Sequence, residues 1–326
     1  MSSTTALSVH GVVKRYGNHV AVDGISFEVP RGVVYGVLGP NGAGKSTTLR
    51  MINDIIAPDA GKITILDGLS PGEEAARQIG YLPEERGLYP KMRVLDMIVF
   101  MGELRGLHHR DAKQRALRWL DRLGLSDWTK NKVQDLSKGM AQKVQFTTAL
   151  IHDPALVILD EPWSGLDPIN SEVLREVVDE IRKSGRTVLF STHLMEQAEK
   201  ICDAVCIIAR GKKVLDGRLK DIQRESIAEG VLALGFADDL SRERAAPILE
   251  DRTLIVDRRP PRPGEHADCE VILAEGVKPK QLLAQLLNHD VDLRLFEVVV
   301  PTLHQIFVQR VGGKAAFAAR REDAVA

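Results

Sequence analysis

The segment at residues 39–47, with the sequence GPNGAGKST, constrains the fold of this chain more than any other feature. It fits the pattern G-x-x-x-x-G-K-[ST] of phosphate-binding loops, in which glycines let the backbone bend so that several N–H groups point at phosphate oxygens. Lys45 would neutralise the β- and γ-phosphates, and the Ser46 hydroxyl is a ligand for Mg²⁺. The residues predicted to bind nucleotide here are Gly39, Pro40, Asn41, Gly42, Ala43, Gly44, Lys45, Ser46 and Thr47.

The alternative explanation of this segment is a glycine-rich turn that carries a surface lysine. The flanking sequence argues against that alternative. Residues 33–38 form a short apolar run, as expected of a buried parallel strand, and residues 47–55 have the apolar spacing of a helix. Because a phosphate-binding loop requires a strand before it and a helix after it, the sequence predicts a nucleotide site.

Composition and charge narrow the class of protein. The 326 residues are enough for about two domains, and 44% hydrophobic with 27% charged residues is typical of a soluble globular protein. The formal net charge of -1 gives no overall basic excess, so we expect no nucleic-acid partner. The chain has no run of 18 or more apolar residues and no basic segment before an apolar run at 1–13, which predicts neither a membrane-spanning helix nor a signal peptide. Three cysteines make no disulfide framework, and we expect buried thiols at Cys202, Cys206 and Cys269.

Strand and helix patterns alternate through the first two thirds of the chain, which is typical of an α/β fold. Strands are predicted at 6–13, 20–29, 33–38, 62–66, 155–159 and 187–192, with a short one at the start of the segment 78–89 and two more around residue 211. Helices are predicted at 47–55, 92–104, 109–125, 170–184 and 194–202. No strand pattern occurs from about 91 to 151, which predicts a helical insertion in the α/β core.

Tyr16 lies in a predicted turn at 14–18, between the first two strands. An aromatic ring beside a nucleotide can stack on adenine, and a tyrosine can equally be an ordinary turn residue. The spacing alone leaves both explanations open.

The segment at residues 136–140, with the sequence LSKGM, predicts a helix that begins at Ser137. Serine is a favourable N-cap because its hydroxyl accepts a hydrogen bond from a free backbone N–H of the first turn. By itself this pattern is a capped helix start. A serine and a glycine at a helix N-terminus, here Ser137 and Gly139, can also form an anion site.

Two carboxylates, Asp160 and Glu161, follow the continuous apolar run at 155–159. Buried charges without partners are costly, and an Mg²⁺ ion held by Asp160 together with a water polarised by Glu161 would supply those partners. The alternative is a strand exit with solvated acids. His193 follows the next core strand. Because ligands of open parallel sheets bind at the carboxyl ends of strands, we expect these residues to meet the loop at 39–47, with His193 facing phosphate.

The composition changes near residue 221. Beyond this point short strands are predicted at 227–236, 253–256, 269–273 and 293–299, helices at 278–287 and 302–311, and a loop rich in proline and arginine at 258–263. No catalytic constellation is present there. We therefore predict a domain at 1–220 and a small α+β domain at 221–326, whose last residues, 315–326, are frayed.

These motifs, in this order, resemble the ATP-binding subunits of ABC transporters over roughly residues 6–220. The resemblance implies a P-loop NTPase (ABC ATPase) fold of class α/β, with a RecA-like core, an antiparallel β subdomain and an α-helical subdomain at about 91–151. The small α+β domain would be an accessory domain. Residues 81–89 and the tail at 301–307 are similar to the exporter branch that includes sodium-export ATPases of the NatA kind.

The resemblance also implies roles for single residues. Tyr16 would stack on adenine, Glu161 would be the catalytic carboxylate and His193 the switch histidine. Residues 164–167 match the turn at the interface of the ATPase dimer. Ser137 and Gly139 match positions of the signature motif LSGGQ that contact the γ-phosphate of ATP bound to the opposing subunit.

Two positions depart from the family pattern. The signature motif is LSKGM in this chain, with Lys138 and Met140 in place of glycine and glutamine. The family's loop glutamine, a Mg²⁺ ligand that also contacts the membrane subunit, is here Glu84, whose carboxylate can still bind the metal but adds charge. The resemblance therefore implies Ser46, Glu84 and Asp160 as metal ligands.

The activity implied by the resemblance is ATP hydrolysis with ATP and Mg²⁺ as cofactors. Two such chains, identical or paralogous, would sandwich two ATP molecules in a homodimer or heterodimer. Glu161 would activate water and His193 would stabilise the γ-phosphate. Hydrolysis would open the sandwich and drive a separate integral membrane permease, so that the chain would act at the cytoplasmic face of the cell membrane. The permease would select the substrate, which stays open, and the resemblance favours export over import.

Two other classes of protein compete with this interpretation. A soluble ABC ATPase that acts on ribosomes or DNA is disfavoured, because the chain has one motif set and lacks a long coiled-coil insertion. A small-molecule P-loop kinase would leave Ser137, Gly139 and His193 unexplained.

Overall fold

The structure, a computed structural model, describes residues 4–85, 87–227, 231–261 and 266–311. These residues form two compact units, of which the first extends to Leu219 and the second begins at Lys220. The predicted frayed segment at 315–326 lies outside the described residues.

The first unit alternates strands and helices along the chain. Its strands are β1 Thr5–Tyr16, β2 His19–Pro30, β3 Val34–Leu38, β4 Ala60–Ile65, β5 Ile79–Leu82, β6 Leu156–Asp160, β7 Thr187–Thr192, β8 Ala204–Ala209 and β9 Lys212–Arg218. Its helices are α1 Lys45–Ile52, α2 Glu73–Ala76, α3 Val94–Leu104, α4 His109–Arg122, α5 Lys138–Leu150, α6 Pro168–Lys183 and α7 Met195–Ile201.

A six-stranded sheet with the order β5-β6-β7-β3-β8-β9 is the centre of this unit. Its first five strands are parallel, and β9 closes one edge in antiparallel direction. Every residue of β3, β6, β7 and β8 is buried, which explains their unbroken apolar runs. Because β3, β5, β6 and β7 are parallel neighbours, the loops that follow them lie at one edge of the sheet.

A second, antiparallel sheet with the order β2-β1-β4 shares an apolar core with the six-stranded sheet and helix α1. The hairpin between β1 and β2 has a two-residue turn, since Tyr16 pairs with His19. Strand β1 is therefore longer than predicted, and Tyr16 is the last residue of a strand instead of part of a five-residue turn.

Helices α3, α4 and α5 pack around a separate apolar cluster that includes Met97, Ala116 and Val144. Among the described residues no strand lies between β5 and β6. The predicted helical insertion in this region is confirmed.

The second unit combines a four-stranded antiparallel sheet with helices. From Leu219 onward the elements are α8 Leu219–Ile227, β10 Val231–Phe236, α9 Asp239–Glu250, β11 Ile255–Arg259, β12 Cys269–Leu273, α10 Pro279–Asn288, β13 Leu293–Val298 and α11 Leu303–Val311. The sheet order is β11-β12-β10-β13, and α9 and α10 contribute Ala245, Leu282 and Leu286 to the apolar core on one of its faces.

For the second unit two strand predictions are wrong in their bounds and two helices are missing from the prediction. Helices α8 and α9 were not predicted, and Ile227 ends α8 instead of starting a strand. The strand predicted at 253–256 is shifted, because β11 begins at Ile255 and takes in Arg258 and Arg259, the first two residues of the predicted loop at 258–263.

All three cysteines are buried free thiols, as predicted. Among the described residues no helix is both long and apolar enough to cross a membrane.

Candidate active site

The loop between β3 and α1 is shaped by glycines that no other residue could replace without strain. Gly44 has φ 105°, and a Cβ atom there would lie 2.5 Å from the carbonyl oxygen of Ala21. Gly39 has φ 151°, and a Cβ atom there would lie 2.0 Å from the carbonyl oxygen of Ile208. The loop can therefore pass this close to two neighbouring strands only because both positions lack a side chain.

Lys45, the first residue of α1, folds back over this loop. Its ammonium group donates hydrogen bonds to the carbonyl oxygens of Gly39 at 2.8 Å and of Pro40 at 3.2 Å. It also lies 3.4 Å from Oε1 of Glu161. The lysine is thus a buried cation at the point where the motif predicts a phosphate.

Glu161 is buried directly after β6 in a left-handed backbone conformation, with φ 47°. Conformations of this kind are uncommon for residues other than glycine and occur often at functional sites. The backbone N–H of Glu161 donates to both the carbonyl oxygen and Oγ of Ser191, each at 3.1 Å. Oε2 of Glu161 accepts a hydrogen bond from Oγ1 of Thr192 at 3.2 Å. The carboxylate is therefore held in place by the end of β7.

His193 contacts the same carboxylate. Its Nδ1 atom lies 3.1 Å from Oε1 and 3.0 Å from Oε2 of Glu161. Since a carboxylate accepts hydrogen bonds, this contact fits a proton on Nδ1 of His193 and leaves Nε2 for a different partner. The ring is 40% exposed, so one side of it is open to solvent or to a ligand.

Asp160 lies at the end of β6 and is almost completely buried. Its Oδ1 atom accepts hydrogen bonds from Oγ of Ser46 at 3.1 Å and from Oγ of Ser191. Its Oδ2 atom has no hydrogen-bond partner among the described residues. Burial raises the pKa of this carboxyl above its ordinary value, because the charged form loses its hydration.

This arrangement fits a bound Mg²⁺ ion. An unpartnered, buried carboxylate oxygen beside a serine hydroxyl provides the oxygen ligands that this cation prefers. The described residues contain no group of three or more histidine, cysteine or acidic side chains that could hold a metal. Mg²⁺ usually keeps several waters and binds substrate phosphates, so one carboxylate and one hydroxyl from the protein suit it.

A cavity of about 390 Å³ lies over the loop. Its lining residues are Tyr16, His19, Ala21, Asn41, Gly42, Ala43, Gly44, Lys45, Ser46, Thr47, Glu84 and Glu161. The structure therefore brings most of the predicted site together, including Tyr16 from the end of β1 and Glu84 from the loop after β5. Tyr16 is half exposed at the cavity and has the Lys14 ammonium 5.9 Å from its ring centroid.

Ser137 and Gly139 lie elsewhere. Ser137 caps α5 by accepting a hydrogen bond from the backbone N–H of Met140 at 3.3 Å. Within the described part of the chain neither residue lines the cavity over the loop. Lys138 extends along Gly165, where an added Cβ atom would meet the lysine Nζ atom at 2.1 Å. The first residue of α5 is thus in contact with the turn that follows Glu161.

Four residues of the site were not identified from the sequence. Ser191 and Thr192 position the two carboxylates, and His19 and Ala21 line the cavity. The sequence contains one signal for the first two, since they are polar residues at the end of a buried strand, directly before His193. No signal in the sequence distinguishes His19.

Comparison with known proteins identifies the family. The family model described as ABC transporter matches residues 22–164. The ABC transporter ATP-binding protein YhaQ of Bacillus subtilis is 39% identical over 306 residues, which are 94% of this chain and 98% of that protein.

Two further relatives have more specific names. The linearmycin resistance ATP-binding protein LnrL of Bacillus subtilis is 33% identical, with 94% of this chain and 98% of that protein covered. The Nod factor export ATP-binding protein I of Ralstonia nicotianae is 36% identical, with 81% and 84% covered.

A solved structure of the ATP-binding subunit of an ABC transporter superposes on 68% of this chain and 93% of its own, with a TM-score of 0.64 and 32% identity. The predicted P-loop NTPase fold of the ABC ATPase type is thereby confirmed. The chain belongs to the family of ABC transporter ATP-binding proteins.

Proposed function

We propose that this chain hydrolyses ATP at the cavity over the loop at 39–47, as the energy-supplying subunit of an ABC exporter. The observation that carries this proposal is the position of Glu161. Its carboxylate is buried and lines the cavity over the loop. It lies 3.4 Å from Nζ of Lys45 and 3.0 Å from Nδ1 of His193. A carboxylate held in this way can accept a proton from a water that attacks a phosphate.

The chemistry would consist mainly of positioning and charge stabilisation. Lys45 and the backbone N–H groups of the loop bind the phosphates of ATP, and Tyr16 stacks on the adenine ring. Glu161 orients and activates the attacking water, and His193 stabilises the γ-phosphate with the ring nitrogen that does not face Glu161. Mg²⁺ held by Ser46, Asp160 and Glu84 would supply positive charge between the phosphates.

We propose that two ATPase chains pair head to tail. The support is the position of Ser137 and Gly139 at the N-terminus of α5, outside the cavity that holds the other predicted residues. If these two residues contact ATP, the nucleotide must belong to another chain. The partner is a second copy or a paralogue.

We propose that residues 1–220 form the nucleotide-binding domain and that residues 221–326 form an accessory domain. The two paired ATPase chains act at the cytoplasmic face of the cell membrane on a separate permease. The names of two relatives, one for Nod factor export and one for linearmycin resistance, support export. Within the exporters we favour the branch that includes the sodium-export ATPases, on the resemblance at 81–89 and 301–307.

Identification of the permease tests the transporter function. The chain is tagged in its native host, the membranes are solubilised gently, and the proteins that co-purify are identified, with the Lys45→Ala variant as a comparison. A multi-span membrane protein is the expected result. It would be the candidate permease whose substrate is tested next. Ribosomal proteins or DNA-bound factors without a membrane partner would support the alternative of a soluble ABC ATPase, which the names of the relatives do not favour.

A further inference from the structure

Gln145, in the middle of α5, makes contacts that the mechanism above does not use. Its side chain is 3% exposed. The Nε2 atom donates hydrogen bonds to the carbonyl oxygens of Pro83 at 3.1 Å and of Glu85 at 3.2 Å. These two residues flank Glu84, which lines the cavity over the phosphate loop. One amide group therefore holds the backbone on both sides of Glu84.

The chemistry of the two acceptors fixes the orientation of this amide. Both partners are carbonyl oxygens, so the atom that faces them must be the NH₂ group, which has two hydrogens to donate. The Oε1 atom of Gln145 consequently points away and has no hydrogen-bond partner among the described residues. A side chain of the same size without two donors, such as methionine, would leave both carbonyl oxygens without this partner.

A second contact ties α5 to the strand before this loop. A Cβ atom at Gly80, in β5, would lie 2.1 Å from the carbonyl oxygen of Ala149, in α5. The helix backbone thus lies directly against β5, and four residues earlier on the same helix Gln145 holds the loop that follows β5. Helix α5 therefore contacts both β5 and the loop that follows β5.

We infer that Gln145 is a positioning residue that anchors the loop of Glu84 to α5, and thereby holds Glu84 at the edge of the nucleotide cavity. The inference rests on the proposed function, in which Glu84 acts on Mg²⁺ and the N-terminus of the same helix contacts ATP of the partner chain. Because Ser137 caps the N-terminus of α5, a shift of this helix by the partner's nucleotide would be passed to Glu84 through Gln145. The two nucleotide sites of a dimer would be coupled through this amide.

The anchoring is tested in the nucleotide-free chain by hydrogen–deuterium exchange of the peptide that spans residues 80–90. Gln145→Met removes both donors at similar volume. Thr147→Val is the matched control, because Thr147 is buried on the same helix and its hydroxyl donates only within that helix, to Lys143. We expect exchange in this peptide to become about tenfold faster in Gln145→Met and to stay unchanged in Thr147→Val. Equal exchange in Gln145→Met and in the wild type would overturn the inference.

The link to Glu84 is tested by a double-mutant cycle on the rate of ATP hydrolysis and its Mg²⁺ dependence. We expect Gln145→Met to lower kcat by about ten- to hundredfold and to raise the Mg²⁺ requirement. In a Glu84→Ala background the same change should alter kcat by less than about twofold, because the group that it positions is already missing. An undiminished effect in that background would overturn the inference, since Gln145 would then act by another route.

The exchange measurement and the hydrolysis measurements together separate this inference from the role proposed for Glu84. If Glu84→Ala alone hydrolyses ATP at the wild-type rate, the metal role of Glu84 fails and the coupling through it fails with it. The exchange measurement is unaffected by that result and still decides whether Gln145 anchors the loop.

Discussion

Lys45 and Glu161 form a buried ion pair across the mouth of the phosphate loop, with Nζ 3.4 Å from Oε1 and both side chains less than a tenth exposed. Two carbonyl oxygens of the loop share the same ammonium group. A phosphate that enters the cavity must therefore compete with Glu161 for Lys45. Release of the carboxylate from the lysine would then coincide with nucleotide binding.

Replacement of Glu161 by glutamine should separate binding from hydrolysis. The amide keeps the shape and the contact with Thr192 but cannot accept a proton, so we expect hydrolysis to fall by about 10² to 10⁴ while ATP binding is retained. Phosphate release and calorimetric titration with ATP measure the two effects. Glu172→Gln on the exposed side of α6 is the control and should hydrolyse normally. A wild-type rate in Glu161→Gln would refute the role of this residue.

Removal of the Lys45 ammonium should weaken nucleotide binding itself. In Lys45→Ala the phosphates lose a charge-assisted contact of about 1.5–3 kcal/mol, so we expect affinity for ATP to fall by about 10- to 100-fold in calorimetry. Lys183→Ala, at an exposed position on α6, provides the control. Equal affinity in Lys45→Ala and the wild type would contradict the assignment of the phosphate loop.

Ser191 should affect the metal requirement more than nucleotide affinity. Its hydroxyl accepts from the backbone N–H of Glu161 and donates to Oδ1 of Asp160, so it positions the Asp160 carboxylate and the backbone of Glu161. In Ser191→Ala we expect the Mg²⁺ concentration for half-maximal hydrolysis to rise by about 10- to 100-fold. The control is Ser184→Ala, which removes a hydroxyl at the end of α6. An unchanged Mg²⁺ dependence would show that Ser191 is not needed to position Asp160.

His152 should make the folded state sensitive to mild acid. Burial lowers the pKa of His152 to about 4, whereas the unfolded chain takes up this proton near the ordinary value of 6.5. Between these values the unfolded state binds more protons, so stability falls as the pH decreases, by at most about 1.4 kcal/mol per pH unit. Partial exposure of the ring keeps the slope below that limit.

Thermal melts at several pH values test this effect in the wild type and in His152→Gln. The glutamine can still donate to the carbonyl oxygen of Ile79, as the histidine does at 3.1 Å, but it does not titrate. We expect Tm of the wild type to decrease more steeply from pH 7 to pH 5 than Tm of the variant. Parallel curves would exclude His152 as the cause of the acid sensitivity.

The sequence could predict the elements whose signal is local. The phosphate loop, the buried strands with their unbroken apolar runs and the cap at Ser137 each depend on residues close together in the chain. The meeting of Asp160, Glu161 and His193 was also predictable, because parallel neighbouring strands end at one edge of a sheet.

Contacts between distant segments could not be predicted in this way. Ser191 forms hydrogen bonds with residues about thirty positions earlier in the chain, and Gln145 forms them with carbonyl oxygens about sixty positions earlier. Both depend on which strand or loop the fold places beside them. In isolation Gln145 is one polar residue within a helix, and no local pattern reveals that it is buried.

Errors in the second unit have similar causes. Helix α9 contains Pro247, which lowers the helical tendency of the segment, and its packing on the sheet compensates. Strand β11 ends with Asp257, Arg258 and Arg259, a polar and exposed run that resembles a loop. Its pairing with β12 makes it an edge strand.

The packing of Trp163 gives the protein a natural optical probe. This indole is buried two residues after Glu161, with its ring centroid 4.9 Å from that of Phe190 in β7. The other two tryptophans of the chain, Trp119 and Trp128, belong to the helical cluster and are partly exposed. With those two replaced by phenylalanine, the emission of Trp163 alone would report on the carboxyl ends of the parallel strands, where Glu161 lies. It would do so through a catalytic cycle without any attached dye.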